Sequence, residues 1–261
     1  MRTIVVGAGG MLGRELVRAT GAEGLTRAEL DVTDPRAVEE AIEPDDLVIN
    51  CAAWTDVDGA ESHADEALRV NAGGAGNVAR AAGTVAYVSS DYVFDGHKRE
   101  PYLESDPPGP LSSYGRSKLE GERATARANP RHFIVRSAWL FGPGGSNFVD
   151  TMLRLGPAVR VVDDQVGCPT FTAHLADALA ELTMSESFGV HHLAASGTCS
   201  WFEFAREIFA LAGRHVELTP CTTAEFPRPA PRPAWSVLGS ERGHRLPHWR
   251  EGLQAYLGVR V

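Results

Sequence analysis

The sequence has little of what marks secreted, membrane or nucleic-acid-binding chains. Its four cysteines, Cys51, Cys168, Cys199 and Cys221, lie far apart and form no C-x-x-C pair. That argues against a zinc module or a disulfide framework and for reduced structural thiols. No stretch approaches the ~18 consecutive apolar residues of a membrane helix, and Met1-Arg2 runs straight into an apolar strand, not a signal peptide. The expected setting is the cytoplasm, with no membrane contact. Positive charge is also scarce: 25 Lys and Arg stand against 34 Asp and Glu, for a net charge of -9. A nucleic-acid partner is therefore not expected, although a few local donors can still serve a small anion. No internal repeat is visible. What is present is ordinary globular composition over 261 residues, 43% hydrophobic and 23% charged, with 27 Gly and 16 Pro. This excludes collagenous, coiled-coil and wholly disordered chains and allows one large domain, or a large one with a small partner.

Residues 1–142 alternate short β runs with helical stretches. Thr3–Val6 is a β-branched run ending in glycines, and the helix that follows puts Leu12, Leu16 and Ala19 on one face. A short strand is expected near Leu25, and Asp34-Pro35 supplies an N-cap and a first-turn proline for a helix to about Ile42. Further strands are expected at 47–51, 84–89 and 133–136, and helices at 64–82 and 112–128. Strands separated by helical segments of this length form right-handed βαβ units. The expected fold is therefore α/β, a Rossmann-type doubly wound parallel sheet, with ligands beyond the carboxyl ends of the strands. From residue 143 the elements shorten: helices near 146–155, 172–184, 200–212 and 247–257, and a strand near 159–162. Residues 143–261 are expected to be mainly a smaller mixed C-terminal substrate lobe, with some segments returning to the Rossmann core. Between 226 and 233 every second residue is proline, so that stretch is expected to cross the surface extended.

The turn GAGGMLG at 7–13 follows a strand and opens a helix, the context in which a glycine pattern is informative. Its spacing is G-x-x-G-x-x-G, carried by Gly7, Gly10 and Gly13; Leu12 departs from the G-x-G-x-x-G form. Gly7 suits a tight turn, Gly10 the approach of a pyrophosphate to a helix N-terminus, and Gly13 close packing of helix on sheet. The plainer alternative is a glycine-rich βα turn without a ligand. Near the end of the second strand stand Thr26 and Arg27, where a free ribose 2′-hydroxyl would call for an acidic residue. That favours NADPH over NADH, with Glu29 and Asp31 close enough to alter the preference. Asp31 and Val32 are expected to meet the adenine.

Tyr114 and Lys118 are four apart within a helix and share a face. A phenol titrates near ~10, and a neighbouring ammonium lowers that value, so the pair suits proton transfer to a carbonyl. Alone, Y-x-x-x-K is commonly a solvated helix face. Here it follows a nucleotide turn and a hydroxyl-bearing strand end, Ser89-Ser90-Asp91.

These residues and their order resemble the dTDP-4-dehydrorhamnose reductase family of extended short-chain dehydrogenases/reductases. The matching stretches run nearly end to end: GAGGMLGREL, LDVTD, NCAAWTDVDGAE, VSSDYVFDG, PLSSYGRSKLEGE, VRSAWLFG, NFVDTML, VDDQVGCPT, GVHHLA, SWFEFAREI, RPAWSVL and LPHWREGL. VSSDYVFDG and DQVGCPT are distinctive of the narrow family. The resemblance implies a catalytic Ser90, Tyr114 and Lys118: Ser90 bonding the sugar carbonyl, Tyr114 protonating it, and Lys118 holding the nicotinamide ribose. Threonine is usual at position 90; serine keeps the hydroxyl and loses the methyl that restricts its rotamer. Asp91 and Trp139 match positions that meet the sugar. Met11, Leu12, Val88, Ala53, Trp54 and Thr55 match cofactor positions, with Trp54 where His or Tyr is usual. Gln165, Thr170 and Arg232 are candidates for the nucleotide diphosphate.

The implied reaction is NADPH-dependent reduction of dTDP-4-dehydro-L-rhamnose to dTDP-L-rhamnose, on a dTDP-4-keto-6-deoxy sugar as the small-molecule partner. Reduction of another dTDP-deoxysugar, and a non-catalytic Rossmann regulatory subunit, stay open, as do a monomer and a homodimer. Glu15 stands where some relatives hold a dimer-bridging Mg²⁺; the sequence offers no independent metal pattern, and no metal is expected. His191 and His192 are adjacent on a strand and point to opposite faces, so they do not pair on one ion. Pro247 breaks the helix that would align His244 with His248. The chain is short for that family, and the close spacing of Asn77 and Val85 marks a trimmed loop.

Overall fold

The computed structural model describes residues 2–258. In chain order the first part runs β1 (Thr3–Val6), α1 (Met11–Thr20), β2 (Glu23–Leu25), α2 (Pro35–Ala41), β3 (Leu47–Asn50), α3 (Gly59–Ser62) and α4 (Ala64–Leu68). A π-helical turn (Arg69–Gly74) leads into α5 (Ala75–Ala81), followed by β4 (Thr84–Ser90), α6 (Ser113–Ala128) and β5 (His132–Ser137). The remainder is β6 (Leu140–Phe141), α7 (Phe148–Arg154), β7 (Ala158–Val162), β8 (Val166–Gly167), β9 (Thr170–Phe171), α8 (Thr172–Thr183), β10 (Gly189–His192), β11 (Ala195–Ser196), β12 (Cys199–Ser200), α9 (Trp201–Leu211), β13 (Glu217–Cys221), β14 (Leu246–His248) and α10 (Trp249–Gly258).

Six parallel strands form the central sheet in the order β10-β5-β4-β3-β1-β2. Alternate residues of each strand face opposite sides. Val5, Ile49 and Ala86 therefore pack with Leu12 and Leu16 of α1 and Leu175 and Leu179 of α8. Ile4, Val6, Val48 and Val85 pack instead with Val38 of α2 and Val78 of α5. Burial on both faces explains why these strands read as continuous apolar runs. The chain leaves β1 for β2 on one side and returns to β3 on the other, so the strand order reverses between β1 and β3. That is where a doubly wound sheet opens a crevice.

The Asp34 carboxylate accepts from the Arg36 and Ala37 amides with Pro35 in the first turn, as expected of that N-cap. The helix expected over 64–82 is interrupted by the π turn. Tyr87 of β4 donates its hydroxyl to the Asn71 carbonyl at 3.0 Å, and the Asn71 side chain binds Trp54 N, Trp54 O and Ser117 Oγ. A donor inserted beside the i→i−4 ladder widens the turn. A second apolar centre, with Phe141, Met152, Phe171, Phe204, Trp249 and Tyr256, lies among α7, α9 and α10. Two pieces from beyond residue 143 nevertheless belong to the sheet layer: α8 lies against α1, and β10 is the edge strand beside β5. No helix among the described residues is long and apolar enough to cross a membrane.

Candidate active site

The glycine turn closes around the carboxyl ends of β1 and β3. Gly7 has φ +81°, and a side chain there would strike Ala52 N at 2.6 Å; one on Gly13 would meet the Gly7 carbonyl oxygen at 2.4 Å. Gly10 is the N-cap of α1 and has no side-chain cap, so the first amides of that helix have no side-chain partner at its positive end. A cavity of about 370 Å³ opens here, lined by Gly7, Gly10, Arg27, Asp31, Val32, Ala53, Trp54 and Thr55. Eight of the positions named from sequence thus converge. Gly9, Thr33, Cys51 and Arg69 line the same cavity and were not anticipated. Two hydrogen bonds from Thr33 hold the Asp31 carboxyl below its usual range, and Arg27 and Arg69 add to that. Leu12 is different: its side chain is buried against the sheet, and only its backbone belongs to the turn. Met11 is half-buried beside Gly145.

At the end of β4 the Ser90 hydroxyl donates to Asp91 Oδ1 at 3.0 Å and accepts from Tyr92 N at 3.2 Å. These two bonds fix the rotamer that a threonine methyl would otherwise restrict. On α6, capped by Ser112, Tyr114 and Lys118 stack one turn apart on the sheet. Lys118 donates to Val88 O at 2.7 Å and sits 4.3 Å above the Tyr87 ring. Burial pushes its ammonium down to about 7, opposed by Glu122 and Cys51. One turn further, the buried Glu122 accepts both forks of Arg136, at 2.8 and 2.7 Å, and the Ser89 hydroxyl at 2.6 Å. Burial also pushes the Tyr114 phenol up to about 12, against hydrogen bonding with Ser90. The lowering expected from Lys118 is not seen; Asp91 adds to the rise, and the phenol stays protonated, as a proton donor requires. Burial raises Asp91 to about 7, against Ser236 and Ser90.

A second groove, of about 470 Å³, lies between α7, β7 and the proline-rich strap at 226–233. Phe148, Trp201, Phe226 and Met152 give it apolar walls, while Arg160, Arg228, Arg232, Gln165 and Tyr92 bring polar groups. The Tyr92 ring meets Tyr114 edge-on at 6.0 Å. Trp139 stacks flat on Trp201 at 3.5 Å and is the one non-glycine residue with positive φ, 48°, among those described. Its indole Nε1 is buried without a hydrogen-bond partner. Strained backbone and an unpaired donor of this kind collect at ligand sites.

One position named for the groove lies outside it. Thr170 is fully buried, donates to Cys168 O and accepts from Ala195 N, so it does not line the groove. Trp201 and Arg228, which do, were not singled out; Arg228 shares the strap with Arg232, and that alternation of Arg and Pro was the available signal. His191 bonds His244 at 2.9 Å, and His192 faces the Tyr102 and Gly239 carbonyls. Cys168 is buried, and desolvation pushes its thiol up to about 12. Glu15 pairs with Arg18.

Comparison with known proteins matches residues 1–260 to the family model described as the RmlD substrate binding domain. The chain is 43% identical to a dTDP-4-dehydrorhamnose reductase of Mycolicibacterium smegmatis, over 97% of this chain and 84% of that protein. It is 40% identical to the spore coat polysaccharide biosynthesis protein SpsK of Bacillus subtilis, over 99% and 98%. A crystal structure of dTDP-4-dehydrorhamnose reductase from Bacillus anthracis in complex with NADP superposes with a TM-score of 0.95 at 36% identity, covering 100% of this chain and 99% of that one.

Proposed function

The chain belongs to the RmlD substrate binding domain family, and from that premise we propose that it reduces the 4-keto group of dTDP-4-dehydro-L-rhamnose with NADPH. The observation that carries this is the place of Tyr114 and Lys118. Lys118 is within electrostatic reach of Cys51, which lines the first cavity, and Tyr114 meets Tyr92, which lines the second. A proton donor between two cavities is what hydride transfer between two bound molecules needs.

The first cavity fits the cofactor. Gly10 and the amides opening α1 would receive the pyrophosphate, Asp31 and Val32 the adenine, and Arg27 the 2′-phosphate that separates NADPH from NADH. When bound, the nicotinamide supplies the hydride. The chain's own groups do the rest. Ser90 Oγ orients the sugar carbonyl, and Tyr114 Oη delivers its proton as charge develops on that oxygen. Lys118, below its ordinary pKa yet next to Glu122, holds the ribose. Trp139 and Asp91 would flank the sugar, whose oxygens are candidate partners for the unpaired indole N–H. Gln165, Arg228 and Arg232 would take the diphosphate, with the apolar walls of the groove around the base. Residues 1–142 serve as the cofactor lobe, and most of 143–261 as the substrate lobe.

The test is NADPH oxidation in the presence of dTDP-4-keto-rhamnose generated in place. Protein that binds NADPH and leaves it unoxidised with that sugar would overturn the catalytic reading.

A further inference from the structure

Asp58 lies in the segment after β3, outside both cavities, yet it takes hold of the strap that borders the groove. Its Oδ1 accepts from Arg232 Nη1 at 2.6 Å and from Ala230 N at 3.1 Å, and its Oδ2 accepts from Arg228 Nε at 2.9 Å and from Arg228 Nη2. Within 227–233, Ala230 is the one residue whose backbone is hydrogen-bonded among those described. The four prolines there bring no N–H. One carboxylate of the other lobe thus receives the strap's one hydrogen-bonded amide among the described residues and both of its guanidiniums. Arg232 first, then the Ala230 amide and Arg228, hold Asp58 well below the usual carboxylate range against its partial burial.

The charge count at this point is uneven. Two guanidiniums share one carboxylate, while the third arginine of the groove, Arg160, is matched by Glu225 at 3.0 Å. One positive charge is left over, in a chain whose net charge is -9. Arg228 is half exposed and keeps its Nη1 group uncommitted among the described residues; Arg232 is 14% exposed and also bonds Tyr92. Segment 54–61 reaches further. Trp54 and Thr55 line the cofactor cavity, and Glu61 accepts from Ser113 N at 2.7 Å at the start of the helix carrying Tyr114.

We propose that Asp58 is a positioning residue for the substrate, presetting Arg228 and Arg232 as a paired clamp for the diphosphate of a nucleoside-diphosphate sugar. Guanidiniums held in register by a shared carboxylate lose little freedom on meeting a second anion, and preorganisation of this kind raises affinity. Without Asp58 the two cations repel each other, and the strap loses its backbone hydrogen bond at Ala230, keeping the Arg232–Tyr92 bond and the packing of Pro233 against Gly96. The proposal rests on the groove being the nucleotide-sugar site.

The experiment titrates dTDP, and separately NADPH, into the wild type, Asp58→Asn, Asp58→Glu and Arg228→Gln, with KM and kcat measured alongside. Asp58→Asn should weaken dTDP and raise KM by at least about tenfold, as for loss of one partner of a close charge pair, while kcat falls less than about threefold and NADPH affinity holds. Asp58→Glu should recover part of the loss. Equal or tighter dTDP binding by Asp58→Asn would make the carboxylate a bystander or a competitor and overturn the proposal. Should that variant not fold, unchanged dTDP affinity in Arg228→Gln does the same. Wild type that fails to bind dTDP refutes the groove reading itself, a result distinct from a wild type that binds it and an Asp58→Asn that binds it equally well.

Discussion

The placement of Tyr114, Lys118 and Ser90 was legible because it is tied to spacing and pattern: an i,i+4 pair on a helix, and a hydroxyl at a strand end. Their ionisation was not. Burial is a property of the packed molecule, and it drives the phenol up and the ammonium down whatever their separation in sequence. Thr170 shows the opposite failure. Its residue type suits a phosphate, but the hydroxyl is consumed inside the fold by Cys168 O and Ala195 N. For Tyr114 the expected outcome of Tyr114→Phe is a fall in turnover of at least ~100-fold, the scale of lost general acid catalysis. NADPH titration of the same variant should show binding retained; turnover equal to wild type would remove Tyr114 from the mechanism.

Among the elements, those with a period were read well and those without one were not. Of the sheet strands, β1, β3, β4 and β5 carry apolar runs, and α2 announces itself through Asp34-Pro35, whereas β2 and β10 carry none, and β8, β9, β11 and β12 are two residues each and leave no pattern. The π turn was hidden too, since its cause is a tyrosine on a different element, Tyr87. The β1–α1 turn is where a small change should matter most. A methyl on Gly13 would lie 2.4 Å from the Gly7 carbonyl oxygen and 2.8 Å from Ala8 Cα, both backbone atoms that cannot rotate aside. Gly13→Ala is expected to cost about 1–3 kcal/mol in urea unfolding, the range for overpacked sites, and to weaken NADPH binding with it. A variant as stable as the wild type would mean that the turn yields more readily than its contacts imply.

At the scale of the whole molecule, the buried Lys118 ties stability to pH. Its pKa falls from the ordinary 10.5 to about 7 on folding, so between those values the unfolded chain binds a proton that the folded chain does not. Stability from this group therefore rises with pH across that window and is lost as pH falls through 7. Asp91, raised from 3.8 to about 7, runs the other way at lower pH: its contribution is present below 3.8 and is lost as pH rises through 7. Urea unfolding of wild type and Lys118→Met at pH 7, 8 and 9 should show the wild type gaining on the variant at each step; a constant or shrinking difference would contradict the assignment. The edge strand β10 has a consequence in time. It comes from residues 189–192 and pairs with β5, and α8 at 172–183 covers the face that α1 shares. A ribosome must therefore deliver almost three-quarters of the chain before the cofactor sheet has its last strand, and until then β5 is an open edge. The half of the protein that is written first is finished by the half that is written last.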